Sequence, residues 1–239
     1  MTLKHIIIFR RFWGCIGGCF VPAKKSKRKL FIGIIRKEEG LGGVNYLTEL
    51  FHKRHMLNKV KRFVDTAFLK KDPKKSLKHF SMTVYWAQQL NPEVDEAVLI
   101  AAYAHDIARA FAKEDAEFWK NKELNDADYL ESHQKESARI IAEFLEKEGY
   151  DKEKIKRVEN MVRYHEVGGS PESDLIKDAD SISYLEVNAP KHVEKFGKMF
   201  GKKKTKTKFD FMFNRITSEK ARKIAEPMYE KVVGDLEES

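Results

Sequence analysis

The chain has 239 residues, of which 46 are Lys or Arg and 37 are Asp or Glu, so its formal net charge is +9. Hydrophobic residues make up 42% of the chain, but no apolar run reaches the roughly 18 residues that a membrane-spanning helix needs. The composition therefore argues against a membrane span, and the length is ample for one domain with a sizeable core.

The positive charge is concentrated at the N-terminus. Residues 1–55 hold twelve basic and three acidic residues, which leaves 34 of each sign in the rest of the chain. Both cysteines, Cys15 and Cys19, and seven of the thirteen glycines also lie there. We therefore predict a basic, glycine-containing and poorly ordered extension over 1–55 and a domain over 56–239. The domain is rich in Glu, Lys, Ala and Leu, as is typical of helical proteins.

The N-terminal extension has three interpretations, which the sequence leaves open. Residues 16–19 suggest a secretory or lipoprotein signal, although Arg10 and Arg11 shorten the apolar stretch that export requires. Residues 24–29 form a basic arm that could contact nucleic acid or anionic lipid, or be solvated. The third interpretation, which we favour narrowly, is that translation starts at Met56 and the extension is an artefact of the gene model.

The domain over 56–239 contains no cysteine, so no disulfide can stabilise it. This fits a reducing compartment, and we predict a cytoplasmic location. We expect nucleic acid to bind, if at all, through the basic N-terminal arm rather than through this domain. The sequence does not fix the oligomeric state.

From Leu57 onward, apolar residues recur at helical spacing between breaks at proline and glycine. No segment shows the sustained alternation of a strand, which predicts an all-α fold. Residues 190–239 are expected to be a C-terminal helical extension packed on the domain. The basic stretch over 202–208 is expected to be a solvated loop, with a phosphate-contacting surface as the alternative. The predicted helices include 95–111, 132–147, one that carries Asp180, and a last one over about 218–236.

An adjacent imidazole and carboxylate, His105 and Asp106, follow the apolar run over 98–104. Burying an unpaired charge costs several kcal/mol, so we expect a cation to compensate it there. Asp180 likewise lies on an apolar helix face, and His79 lies beside the apolar stripe of its helix. These residues predict a buried cation site.

The order His, His-Asp, His, His, Asp across residues 57–186 resembles the HD-domain superfamily of metal-dependent phosphohydrolases. The resemblance implies an HD-like helical bundle. It also implies a primary metal bound by four residues and a possible second metal bound by two more. The primary ligands are His79, His105, Asp106 and Asp180, and the second-metal candidates are His133 and His165. His5, His52, His55 and His192 lack such a context and are expected to be exposed.

A mixture of imidazole and carboxylate ligands favours a divalent transition metal, such as Mn, Fe, Co, Ni or Zn, over Mg. One ion or two would fit. Metal-activated water would then attack a phosphoester, with Asp106, Arg109 and His133 as the catalytic candidates. Arg109 could contact a phosphate oxygen or form only a surface ion pair, and many family members carry Gly-Lys where this chain has Ala108-Arg109. His133 could act as a general acid if no second metal binds.

The resemblance implies a small phosphorylated substrate, and we favour a nucleotide or a related metabolite. The Gly-Tyr-Pro signature of the cyclic-dinucleotide branch is absent from the chain. Two alternatives from other functional classes remain. One is a di-iron oxygenase, since six His and Asp ligands would suit iron. The other is a non-enzymatic regulatory protein that binds a nucleotide in the pocket and nucleic acid through the basic arm.

Overall fold

The computed structural model describes residues 55–74, 77–113, 118–119 and 122–239. Within these ranges the chain forms nine complete α-helices and no β-strand, which confirms the all-α prediction. Residues 1–54 lie outside the described ranges, so the three interpretations of the extension stay predictions.

Two short helical turns of different geometry interrupt the α-helices. A 3-10 helix over Ile107–Ala110 follows α3, and a π-helical turn over Tyr184–Asn188 follows α6. None of the helices in the described ranges is both long enough and apolar enough to cross a membrane. The α-helices are α1 (His55–Lys71), α2 (Lys78–Leu90), α3 (Glu96–Ala104), α4 (Ala127–Lys147), α5 (Lys152–Arg163), α6 (Pro171–Ser183), α7 (Ala189–Phe200), α8 (Lys202–Asn214) and α9 (Glu219–Glu238).

Helix α3 is the centre of the fold. Every residue from Ala97 to Ala104 is buried, because α1, α2, α5 and α6 pack around the helix. Its apolar sequence fits this position, since burying one large aliphatic side chain stabilises a protein by about 1.5–3 kcal/mol. Asp95 caps the helix by accepting a 3.2 Å hydrogen bond from the Val98 amide. The helix that leads to the His-Asp pair is therefore held from all sides.

The last three helices pack on a second apolar cluster. Phe209 of α8 is fully buried in this cluster, together with residues of α6, α7 and α9. Trp86 and Leu90 of α2 pack against both clusters. The Trp86 indole also donates a 2.8 Å hydrogen bond to Glu186 in the π-helical turn. The C-terminal helices are thus joined to the same side of the bundle that carries Asp180.

The structure corrects three predicted elements. The helix predicted over 132–147 begins at Ala127, where Asp126 caps it by accepting a 2.8 Å hydrogen bond from the Tyr129 amide. The helix predicted over 95–111 ends at Ala104, and the 3-10 turn follows because the Ala108 amide donates to Ser137 Oγ at 3.1 Å instead of continuing the helix. The basic stretch over 202–208 is helical rather than a loop. Gly201, at φ +84°, ends α7 and allows the chain to turn into α8. The 3-10 turn carries Arg109 and α8 carries Lys208, and both of these charged side chains line the pocket of the site.

Candidate metal centre

Three side chains from separate elements converge beside the end of α3. The Nε2 atoms of His79 and His105 lie 3.0 Å and 3.2 Å from Oδ1 of Asp180. His79 stands at the start of α2, His105 directly follows α3, and Asp180 lies in α6. We call the three residues the first ligand group.

Hydrogen bonds fix the orientation of both imidazoles in the first ligand group. Nδ1 of His105 donates to the Ala102 carbonyl at 2.9 Å. The Ser183 hydroxyl donates its proton to the His79 carbonyl at 2.8 Å, so its oxygen accepts from Nδ1 of His79 at 2.9 Å. With Nδ1 as the donor, Nε2 of each neutral ring carries the lone pair that a metal needs.

A second ligand group consists of His133, His165 and Glu166. Oε1 of Glu166 lies 3.2 Å from Nε2 of His133 and 3.7 Å from Nε2 of His165. His133 projects from α4, and the other two lie in the turn after α5. Nδ1 of His165 donates to the Val162 carbonyl at 2.7 Å. Among the residues that the structure describes, Nδ1 of His133 has no hydrogen-bond partner, and its ring stacks on Tyr129 at 5.7 Å between ring centroids.

Asp106 lies between the two groups. Its Oδ1 is 3.4 Å from Nε2 of His133 and 3.8 Å from that of His165. Its Oδ2 is 3.9 Å from Nε2 of His105 and forms an ion pair with Arg109, whose Nε lies 2.9 Å away. The carboxylate is therefore placed to act as a metal ligand together with either group.

Arg215, immediately after α8, pairs with the carboxylates of both ligand groups. Its Nη1 contacts Oε2 of Glu166, and its Nη2 contacts Oδ2 of Asp180. Its Nε donates to Ser181 Oγ at 2.8 Å. Arg109 and Arg215 thus place two guanidinium groups against the three carboxylates of the site, of which Asp180 and Glu166 are buried and Asp106 is partly exposed.

These charges control the protonation of the site. Burial raises the pKa of Asp106, Asp180 and Glu166, but the neighbouring arginines and histidines outweigh it and hold each pKa below its usual range. Burial lowers the pKa of His105, yet Asp180 and Asp106 outweigh it and raise the value to about 9. A carboxylate-rich site that attracts a proton to His105 will also attract a metal cation, which would displace that proton.

The residues fit a divalent transition metal. Nε2 of His105 and Nε2 of His165 belong to fully buried side chains, yet neither atom has a hydrogen-bond partner in the described structure. Donor atoms about 2.1 Å from an octahedral ion lie about 3 Å apart, and the shortest contacts, 3.0 Å to 3.4 Å, approach this separation. Four imidazoles with three carboxylates favour a transition metal over Mg²⁺.

A pocket of about 480 Å³ opens above the ligands. Its floor includes His79, Asp106, Glu166 and Asp180. Its wall carries Arg109 and Lys208 as cations, and its aromatic wall residues include Trp119, Phe196 and Phe200. Burial lowers the pKa of Lys208 to about 8, although Glu166 opposes the shift. The arrangement suits a small molecule with an anionic group near the ligands and a planar or apolar portion further out.

The structure brings all of the predicted ligands together: His79, His105, Asp106, His133, His165 and Asp180. Arg109, for which phosphate contact and a surface ion pair were both left open, lines the pocket and pairs with Asp106. His192, expected to be exposed, is half-buried and lines the pocket.

Sequence reasoning missed Glu166 and Arg215. Glu166 was detectable in principle, because it directly follows a predicted ligand and precedes the Gly168-Gly169 break. Arg215 gave no such signal, since it lies 35 residues after Asp180 in a part of the chain rich in basic residues. Its role depends entirely on how α8 packs.

Comparisons with known proteins agree with this architecture. The model of a family described as a domain of unknown function, DUF4202, matches residues 48–232. The fold is similar to the crystal structure of a predicted HD superfamily hydrolase from an uncultured Thermotogales bacterium. The TM-score is 0.53 with 22% sequence identity, over 80% of this chain and 95% of that chain. No curated protein matches the sequence significantly. The chain belongs to the DUF4202 family, and the HD-domain fold expected from its histidine and aspartate pattern is confirmed.

Proposed function

We propose that this protein is a metal-dependent phosphohydrolase that acts on a small phosphorylated metabolite, with a nucleotide as the favoured substrate. The observation that carries the proposal is the convergence of two His-carboxylate groups beside a pocket that the cations Arg109 and Lys208 line. The structurally similar Thermotogales protein is described as a predicted HD superfamily hydrolase, which supports the same chemistry. The cysteine-free domain fits the cytoplasmic location that we propose for it.

Each ligand group would hold one ion, with Asp106 available to both. His79, His105 and Asp180 offer two nitrogens and one oxygen, and His133, His165 and Glu166 offer the same set. A bound divalent metal in such a site supplies an activated water and neutralises charge on the phosphoryl oxygens.

The protein's own residues would bind and orient the substrate. Arg109 and Lys208 line the pocket as cations and would attract the phosphoryl group toward the ligands. Burial and the nearby Arg109 lower the pKa of His133. This imidazole is therefore neutral at pH 7, which suits a metal ligand better than a general acid. The aromatic side chains of Trp119, Phe196 and Phe200 would shield the rest of the substrate from water.

The test is phosphate release from a panel of nucleotides and simple phosphoesters, using the full chain with added Mn²⁺, Co²⁺ or Ni²⁺ and with a chelator. We expect release that requires metal, is lost with chelator and favours one substrate. A matched reaction with Asp106→Ala is the control for contaminating phosphatases. Oxygen consumption by an iron-loaded protein, without phosphate release, would instead establish the oxygenase alternative. Ligand binding without any turnover would indicate a regulatory protein.

A further inference from the structure

Arg215 links the two ligand groups from outside the helices that carry them. Its side chain is only 7% exposed, although it follows α8, a helix that contributes no ligand atom to either group. Glu166 and Asp180, its partners, each keep one oxygen for the arginine and turn the other toward histidines. The arginine therefore binds, in each carboxylate, the oxygen that does not face the histidines.

The segment that carries Arg215 is fixed to α6. The carboxylate of Asp178 accepts hydrogen bonds from the amides of Thr217 at 2.7 Å and Ser218 at 2.9 Å. Ser181 accepts from Arg215 itself. Asp178 is 2% exposed, so these bonds compensate a charge that would otherwise be buried unpaired. The same helix thus bears the ligand Asp180 and the two residues that hold its arginine.

We propose that Arg215 is a positioning residue that presents Asp180 and Glu166 to the metal site through one oxygen each, and that Asp178 holds Arg215 in place. The inference rests on the proposed metal site. Without the guanidinium, two buried carboxylates would repel each other and each could rotate to chelate through both oxygens. Because the guanidinium is planar and its donors are fixed, it can bind both carboxylates at once, which a lysine ammonium cannot match.

A second arginine supplies a matched control. Arg157 also bridges two carboxylates, with Nη1 2.8 Å from Asp95 and Nη2 2.5 Å from Glu172. Its side chain is 40% exposed, and none of the three residues lines the metal pocket. Arg157→Met therefore removes the same kind of two-carboxylate bridge without touching the ligand groups.

The experiment is a Co²⁺ titration of the full chain, followed by the visible absorption of the bound ion, for the wild type, Arg215→Met, Arg215→Lys and Arg157→Met. We expect Arg215→Met to weaken Co²⁺ binding about tenfold to 100-fold, the range for removing groups that orient metal ligands. Its absorption bands should also shift, since the carboxylate geometry changes. Arg215→Lys should recover part of the affinity but not the wild-type spectrum, and Arg157→Met should match the wild type in both. Asp178→Asn should act in the same direction as Arg215→Met, but less strongly.

Circular dichroism of each variant separates loss of fold from loss of positioning. If Arg215→Met does not fold, Arg215→Lys keeps the charge and decides the question. Wild-type affinity and an unchanged spectrum in the folded Arg215 variants would overturn the inference while leaving the metal site intact. Failure of the wild type to bind Co²⁺ would overturn the proposed function, and this inference with it.

Discussion

The two ligand groups have the same donor chemistry but differ in how firmly they are preorganised. In the first group, His79 and His105 are both oriented by hydrogen bonds at Nδ1, and their Nε2 atoms lie 3.0 Å and 3.2 Å from one carboxylate oxygen. In the second, Nδ1 of His133 has no hydrogen-bond partner within the described part of the chain, and the nitrogen–oxygen contacts with Glu166 extend to 3.7 Å. Preorganisation lowers the cost of binding, so we expect the first group to bind its ion more tightly.

Asp106 is the residue whose loss should disrupt both groups at once. We expect Asp106→Ala to lower metal affinity and phosphate release more than about 100-fold, because even residues that only orient ligands are worth 10–100-fold. Metal content and initial rates would be measured at unchanged helix content. The control is Asp65→Ala, since Asp65 accepts a hydrogen bond from Tyr103 away from the site. Retained activity in Asp106→Ala would contradict the site assignment.

Asp180→Asn and Glu166→Gln should separate the groups. Each substitution replaces one carboxylate ligand of one group with a neutral amide. Each variant should therefore bind one Co²⁺ where the wild type binds two, with activity lowered about 100-fold. Glu166→Gln should keep the tighter ion, and Asp180→Asn should keep the weaker one. Titration of bound Co²⁺ per chain is the measurement. A wild-type stoichiometry of one would show that the two groups share a single ion.

Lys208→Met tests whether this side chain of the pocket wall binds the substrate rather than supporting metal binding by either ligand group. A hydrogen bond to a charged group is worth about 1.5–3 kcal/mol, so we expect KM to rise at least about tenfold with metal content unchanged. Burial lowers the pKa of Lys208 to about 8. The lysine is cationic below that pH, so the wild-type KM should rise as the pH passes 8, and the variant should lack this dependence. Lys206→Met is the control, because Lys206 lies on the same helix and pairs with Asp210. An unchanged KM would remove Lys208 from the substrate site.

Ser183→Ala addresses the orientation of His79 and should have a smaller effect than the three preceding sets of variants. Loss of the hydroxyl allows the His79 ring to adopt the other tautomer, which should weaken metal binding about tenfold, the low end for groups that orient metal ligands.

Tyr129→Leu, beside His133, should have less effect still, because stacking does not select a tautomer. Thr205→Val controls for losing a buried hydroxyl, since Thr205 donates only to the Gly201 carbonyl. Equal losses in Ser183→Ala and Tyr129→Leu would contradict the proposed difference between the groups.

Much of the fold was predictable because helical periodicity is a local signal. The apolar run over 98–104 predicted a buried helix, and every residue of α3 from Ala97 to Ala104 is buried. Element ends were less predictable. The chain leaves the α-helix after Ala104 because Ser137, on a different helix, binds the Ala108 amide. No local pattern in the sequence encodes that contact.

The sequence by itself determined the all-α class, most of the helices and the set of His and Asp residues at the candidate metal site, since each depends on residue type and spacing. Only the tertiary structure decided that Glu166 joins the second ligand group and that Arg215 pairs with both groups. Asp178 illustrates the reason. It is buried because the turn at 217–218 docks on it. Such contacts join residues about 40 positions apart, and packing, rather than local spacing, brings them together.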